Sequence, residues 1–188
     1  MQTQFKISPD NGLIEPASQC HSPNQDARPD GIQPSLVVLH GISLPPGEYG
    51  GPEIEALFTN ALDHDAHPYF DEIRGLEVSA HLLVRRDGSV TQFVPFTARA
   101  WHAGESCFRG KHRCNDYSIG IELEGEDETA YDKRQYQALT AILQAIFAAY
   151  PEITAREVAG HCDIAPGRKS DPGPAFDWLR LYDGLIEA

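Results

Sequence analysis

Ser35-Leu-Val-Val-Leu-His40 is a short, continuous apolar run that contains two valines. This composition is typical of a strand buried on both faces, as in the parallel strands of an α/β sheet. Further along the chain, Ser118-Ile-Gly-Ile-Glu-Leu-Glu124 alternates between polar and apolar positions. The alternation predicts a second strand with its three apolar residues on one face. Together the two stretches predict a sheet with a buried interior.

The remaining elements interleave helices and strands around this sheet. Asp87-Gly88 separates two apolar runs, which is a good signal for a β-hairpin. A helix is predicted from about Asp132 to Tyr150, because apolar residues recur there at steps of three and four before Pro151 ends it. The other predicted elements are hairpin strands at 78–84 and 89–94, helices at 53–63 and from about 174, and a strand at 157–160.

This order of elements predicts the α/β class, with a mixed central β-sheet flanked by helices. A chain of 188 residues is the length of one ordinary domain, so a single domain over residues 1–188 is expected. Residues 8–34 are rich in Pro, Asn, Asp, Gln and Ser, and residues 1–34 are predicted to form an irregular arm that packs over the domain surface.

Composition restricts the partners that the chain can have. Its 28 acidic and 15 basic residues give a net charge of −13, which argues against nucleic acid and against docking on an anionic membrane. The sequence shows no secretory signal and no apolar run long enough to span a bilayer. Its four cysteines match no metal or disulfide spacing, so free thiols and a cytoplasmic location are expected.

Three residues form a candidate metal site. His40 stands where the first apolar strand meets a Gly/Pro-rich loop, and His161 follows the predicted strand at 157–160. Asp171 lies ten residues further on in a Pro/Gly-rich loop. Two imidazoles and one carboxylate are a known catalytic zinc set that leaves one tetrahedral position open for water. The alternative from spacing alone is that the histidines end their strands and bond to backbone groups.

Two further residues are candidates for chemistry, and a third offers an alternative. Glu122 lies among apolar strand neighbours, which favours a raised carboxyl pKa and a role as general base. The alternative is a solvated strand face, which Glu124 would share. Lys169 is placed to stabilise an oxyanion, or is ordinary surface charge. Cys162 could be a ligand or a nucleophile, although a buried free thiol is expected more often.

Several blocks of the sequence, in order, resemble one known family. They are LVVLHGISLPPGEYGG from Leu36, AHPYF from Ala66, VSAHLLVRRDG from Val78, RAWHAG from Arg99, RCNDYSIGIELEG from Arg113 and GHCDIAPGRKSDPGPAFDW from Gly160. The chain resembles the cytoplasmic AmpD-type 1,6-anhydro-N-acetylmuramyl-L-alanine amidases of Gram-negative bacteria. The resemblance extends from about Ser22 to Leu179.

The resemblance implies a fold like that of T7 lysozyme-type amidases and peptidoglycan recognition proteins. It implies a Zn²⁺ cofactor held by the residues that match as His40, His161 and Asp171. It implies that Glu122 activates water and that Lys169 stabilises the tetrahedral intermediate. The implied substrate is a small muropeptide, an anhydromuramyl peptide from wall recycling. The family matches at Arg113 and Ala165 mark substrate-binding positions, and Arg113 is the best candidate for a substrate contact.

Two positions differ from the family pattern. Gly41 stands where asparagine is common, and Glu77 stands where arginine is common. Both family residues are associated with sugar binding, so the differences concern sugar recognition and leave the metal chemistry in place. Trp101 and His102 are interpreted either as cleft residues or as a packed aromatic and a satisfied histidine.

Other classes of function are weaker but distinct. A non-catalytic module of the same fold would bind peptidoglycan fragments without metal ligands. An envelope amidase would need export, and a structural zinc protein would need a fourth ligand, usually cysteine. The sequence does not determine the oligomeric state.

Overall fold

The protein is described from a computed structural model that covers residues 4–186, within which twelve strands and five α-helices form. The strands are β1 (Lys6–Ile7), β2 (Ile14–Glu15), β3 (Ser18–Gln19), β4 (Gln25–Ala27), β5 (Leu36–Ile42), β6 (Leu82–Val84), β7 (Val90–Gln92), β8 (Ala98–Ala100), β9 (Cys107–Phe108), β10 (Lys111–His112), β11 (Ser118–Glu124) and β12 (Val158–Gly160). The helices are α1 (Glu53–Phe58), α2 (Pro68–Glu72), α3 (Lys133–Ala149), α4 (His161–Ile164) and α5 (Trp178–Ile186).

Six strands form the central sheet in the order β12-β5-β11-β6-β7-β3. The pairs β12–β5, β5–β11 and β11–β6 are parallel, whereas β6 and β7 form the antiparallel hairpin that the Asp-Gly turn predicts. The α/β class with a mixed central sheet flanked by helices is therefore confirmed. The two strongest strand predictions, β5 and β11, are adjacent, and Glu122 is the register partner of His40.

The main core lies between the sheet and α3. The side chains of β11 and β5 on this face, such as Ile121 and Leu39, are fully buried against apolar residues of α3 such as Leu139 and Ile142. Burial of a side chain of this size contributes about 1.5–3 kcal/mol. α3 begins at a capping box in which Asp132 and Gln135 satisfy each other's backbone amides.

Several predicted boundaries differ from the structure. The helix predicted at 53–63 ends at Phe58, because Asn60 adopts a left-handed φ of 59° and Ala61 N donates back to Ala56 O. The last helix begins at Trp178, not near residue 174. The arm predicted as irregular contains four short strands, β1–β4, and its residues 1–3 lie outside the described part. α2 was not predicted; the His67 ring caps it by accepting a hydrogen bond from Tyr69 N.

No helix within residues 4–186 has the length and apolar character that a membrane crossing requires. All four cysteines are free thiols.

The polar face of β11 is buried, so the solvated-face interpretation is wrong. Glu124 is 1% exposed and accepts hydrogen bonds from Arg85 Nη1 at 2.9 Å and from Gly50 N at 2.7 Å. Arg85 also pairs with Glu55 of α1. The loops that precede α1 and follow β6 therefore cover Glu124. The ion pairs with Arg85 compensate the cost of removing these charges from water.

His81 joins β6 to β11 through a ring that must be neutral. Gly120 N donates to its Nδ1 at 2.9 Å, so the ring hydrogen lies on Nε2 and is donated to Ala98 O at 3.2 Å. Burial lowers the pKa of His81 well below its ordinary value, and the positive charge of Arg28 lowers it further. A second ring proton would break the bond from Gly120.

We expect the metal-free protein to lose stability as the pH falls below about 6.5, the pKa of an unfolded histidine. Below that pH the unfolded chain binds a proton at position 81 that the folded chain does not bind. Each further pH unit therefore lowers the free energy of unfolding by about 1.4 kcal/mol. Urea unfolding between about pH 7 and 5.5 should show a flatter pH slope for His81→Gln than for the unaltered chain. His112→Gln, at an exposed position, is the control. An unchanged slope for His81→Gln would contradict the assignment.

Candidate active site

The three residues of the candidate metal site converge at the end of the sheet. His40 comes from β5, His161 begins α4 directly after β12, and Asp171 comes from the loop before α5. His40 Nδ1 lies 2.9 Å from His161 Nδ1 and 3.3 Å from Asp171 Oδ2. His161 Nδ1 lies 3.1 Å from the same oxygen. The residues that spacing alone left uncertain are thus brought together as one group.

This group fits a small divalent cation. Four ligands with bonds of about 2.0–2.1 Å to zinc lie about 3.3 Å from one another in a tetrahedron, close to the three separations observed here. Two imidazole nitrogens and a carboxylate oxygen form a donor set that zinc accepts. Each ring turns its Nδ1 toward the other two residues and its Nε2 away from them, so both can present a lone pair to the same point.

Electrostatics favour a neutral His40 and a charged Asp171 at this point. Burial lowers the pKa of His40 to about 4, so its ring is neutral at pH 7. Burial by itself would raise the pKa of Asp171, but its contacts with the His161 and His40 rings outweigh burial and hold the pKa far below its usual range. These are the protonation states that metal ligation requires.

Glu122 lies beside the candidate ligands on the adjacent strand. As the register partner of His40 in a parallel pair, it projects from the same face of the sheet. Its side chain is buried, and its Oε2 has no hydrogen-bond partner within the described residues. Burial raises the pKa of Glu122 well above its usual value; the charge of Asp171 raises it further, while Lys169 acts in the opposite sense. An unpaired, basic carboxylate oxygen next to a metal site is suited to take a proton from water.

A cleft of about 670 Å³ opens over these groups, within the range of about 300–1,000 Å³ typical of ligand sites. Lys169 lines it together with Glu122 and all three candidate ligands. One wall is apolar and consists of Leu57, Phe58, Tyr69, Ile73, Leu76 and Val78. The lining also contains an acidic rim, Glu126, Asp127 and Glu128, which follows β11 after Gly125. Sequence reasoning missed this rim, although its position after the strand that carries Glu122 was a usable signal.

The remaining predicted positions are arranged differently. Arg113 and Ala165 lie outside the cleft lining: Arg113 is exposed and pairs with Asp116, whereas Ala165 is buried and its carbonyl accepts from Lys169 N. His102 lines the cleft and contacts His40, whereas Trp101 does not line it.

Cys162 has a backbone role here. Its amide donates to the carbonyl of Asp171 at 2.9 Å, and burial raises the pKa of its thiol, which disfavours a nucleophile. His161 and Cys162 both belong to the helical turn α4.

Gly41 has a structural reason to lack a side chain. A Cβ at this position would meet the hydroxyl of Tyr131, which donates a hydrogen bond to Pro172 O at 2.9 Å. Tyr131 therefore fills the space beside the first candidate ligand. An asparagine at position 41 would require Tyr131 to move.

Comparisons with known proteins identify the family of the chain. The model of the N-acetylmuramoyl-L-alanine amidase family matches residues 30–174. The 1,6-anhydro-N-acetylmuramyl-L-alanine amidase AmpD of Salmonella typhimurium (strain SL1344) is 59% identical over 173 residues, 92% of each chain. The crystal structure of a Se-Met AmpD derivative superposes with a TM-score of 0.91 at 56% identity, covering 94% of this chain and 98% of that one.

A more distant solved structure is a substrate complex. It is the amidase AmiD from E. coli with the substrate anhydro-N-acetylmuramic acid-L-Ala-D-γ-Glu-L-Lys. Its TM-score is 0.58 at 29% identity, covering 96% of this chain and 65% of that one. The family match spans well over half of the sequence, and the close relative is similar over nearly its full length. The chain therefore belongs to the N-acetylmuramoyl-L-alanine amidase family.

Proposed function

We propose that this chain is a single-domain, zinc-dependent amidase of cytoplasmic peptidoglycan recycling. It hydrolyses the amide bond between 1,6-anhydro-N-acetylmuramic acid and L-alanine. The observation that carries the proposal is the convergence of His40 Nδ1, His161 Nδ1 and Asp171 Oδ2 beside the unpaired oxygen of Glu122. The names of its close relatives support the substrate class.

Zinc held by His40, His161 and Asp171 would polarise the scissile carbonyl and lower the pKa of water. Glu122 takes the proton of the attacking water on its free oxygen, while that water adds to the lactyl amide carbonyl. The Lys169 ammonium group stabilises the negative charge that develops on the carbonyl oxygen. Glu122 then returns its proton to the departing alanine nitrogen, which restores the carboxylate for the next cycle.

The lining of the cleft bears on how the substrate lies. The apolar wall suits the ring and the N-acetyl methyl group of the sugar, since such walls supply most of the contact area in ligand sites. Arg113 and Ala165 are proposed as peptide-side contacts on the family pattern alone. Because Gly41 and Glu77 replace an asparagine and an arginine, we expect less dependence on the anhydro sugar than in relatives that keep both.

The alternative is a non-catalytic module that binds peptidoglycan fragments. The buried Glu122 oxygen without a hydrogen-bond partner destabilises the fold. A binding module would gain nothing in return, whereas an enzyme gains a general base. The position of this carboxylate beside the three candidate metal ligands favours the enzyme.

The proposal is tested on purified protein with anhydromuramyl-L-Ala-D-γ-Glu-diaminopimelate as substrate. We expect one zinc per chain, release of the free tripeptide, loss of release after chelation, and recovery when zinc is returned. The same peptide on a non-anhydro N-acetylmuramic acid measures the sugar preference. Zinc without turnover on either substrate would favour the binding module, whereas turnover that survives complete zinc removal would refute the metal mechanism.

A further inference from the structure

We propose that the segment Trp101–Ala103 positions both metal-binding imidazoles through contacts on the side of each ring that faces away from the metal. In this arrangement the His102 ring holds His40 and the backbone carbonyl of Ala103 holds His161. The inference rests on the proposed metal-dependent function and assigns a role to groups that do not touch the metal.

The contacts on the far side of each ring carry the proposal. His40 Nε2 lies 2.8 Å from His102 Nδ1, and His161 Nε2 lies 3.3 Å from Ala103 O. A neutral imidazole that offers Nδ1 to a metal must carry its hydrogen on Nε2. Each Nε2 therefore donates to this segment, and the acceptor fixes both the tautomer and the orientation of the ring.

The direction of the hydrogen-bond chain follows from the same constraint. Because His40 donates to Nδ1 of His102, the hydrogen of the His102 ring lies on Nε2. That nitrogen lies 3.1 Å from Ser118 Oγ, which accepts it. The order is then His40 to His102 to Ser118, and each group uses one donor. His102 is held in one tautomer, so it can serve His40 only as an acceptor.

The segment is itself held firmly, as a positioning device requires. Asn115 Oδ1 accepts from the backbone amides of both His102 and Ala103, at 3.2 and 2.8 Å. Arg168 Nη2 donates to Ala103 O at 2.7 Å, so the carbonyl keeps its direction from a second side.

The His102 ring also depends on a glycine of the central sheet. A Cβ at position 120 would lie 2.5 Å from His102 Cγ, so the ring occupies space that only glycine leaves open. β11 thus supplies Glu122 to the reaction and, two residues earlier, the space for the ring behind His40. This second observation is independent of the hydrogen bonds.

The test compares His102→Asn with His102→Leu, two side chains of nearly equal size. Asparagine keeps an acceptor oxygen near the position of Nδ1, and leucine offers none. We expect His102→Leu to weaken zinc binding about 10- to 100-fold, the usual cost of losing such an outer hydrogen bond. His102→Asn should stay within a few-fold of the unaltered protein. Zinc affinity is measured by competition with a chromophoric chelator, beside urea unfolding of the metal-free proteins.

Three outcomes separate the possibilities. Unaltered affinity in His102→Leu would overturn the inference, and equal losses in both variants, in step with lost stability, would show a merely structural ring. If the unaltered protein binds no zinc, the proposed function fails first. A measurement without variants guards against a misfolded leucine protein: imidazole ¹⁵N NMR of the zinc-loaded protein should show His102 protonated on Nε2 alone. A hydrogen on Nδ1 of His102 would refute the proposed order of hydrogen bonds from His40 to His102 to Ser118.

Discussion

Replacing Glu122 with glutamine is expected to lower kcat by about 10²- to 10⁴-fold, the usual contribution of a positioned general base. The carboxylate has one oxygen without a partner, beside three residues that converge as metal ligands. Glutamine keeps the size of the side chain but cannot take a proton. Zinc content and KM should change little, because the amide still fills the same space.

The folded protein should tolerate this change well. Burial raises the pKa of Glu122, which means that the fold disfavours its charge. Removing that charge relieves the penalty, so Glu122→Gln should be at least as stable as the unaltered protein toward urea. A loss of activity together with gained or equal stability is the signature of a group kept for chemistry.

A matched control is available in the same cleft. Glu126 belongs to the acidic rim and accepts a hydrogen bond from the Tyr49 hydroxyl at 3.0 Å, which a glutamine oxygen can also accept. Glu126→Gln should therefore keep kcat within a few-fold. If Glu122→Gln retains full kcat, or if both variants lose it equally, Glu122 is not the base.

The fold class was predictable because the buried strands carry their pattern locally. β5 is apolar without interruption, and β11 alternates, so neighbouring residues alone identify both strands. α3 likewise combines a cap, a regular apolar spacing and a following proline. These signals do not depend on distant parts of the chain, which is why they agree with the structure.

The polar face of β11 could not be predicted in this way. Ser, Gly and Glu at alternate positions are typical of a solvated face, yet Glu124 and Glu122 are buried. Glu124 is covered by loops that come from far away in sequence, including Gly50 and Arg85. A local pattern contains no information about such cover, so the burial of Glu124 could not be predicted from its neighbours in sequence.

The candidate site shows the same division. The spacing of His40, His161 and Asp171 gave weak support for a metal site, and family resemblance selected it. Their convergence depends on the parallel register of β12 and β5, which no short motif encodes. His102 was left between two interpretations because its partners, His40 and Ser118, are 62 and 16 residues away.

Replacing Asp171 with asparagine is expected to remove most zinc affinity and, with it, activity. Asp171 Oδ2 is the one anionic atom among the three converging groups, and it lies within 3.3 Å of His40 Nδ1 and 3.1 Å of His161 Nδ1. Asparagine keeps an oxygen but loses the charge that makes the site attractive to a cation. Losing an outer hydrogen bond lowers metal affinity by at most about 100-fold. The loss in Asp171→Asn should be larger, so this variant should bind zinc more weakly than His102→Leu does.

The effect on turnover follows from the affinity. Metal catalysis of this kind supplies several kcal/mol of transition-state stabilisation, so kcat/KM at limiting zinc should fall by about 10³-fold or more. Excess zinc should restore part of the activity of Asp171→Asn and none of that of Glu122→Gln, because only the first variant lacks metal. Asp127→Asn, a cleft carboxylate outside the converging group, is the matched control and should bind zinc normally. If Asp171→Asn binds one zinc per chain as tightly as the unaltered protein does, this aspartate is not a ligand, and another residue must complete the site with the two histidines.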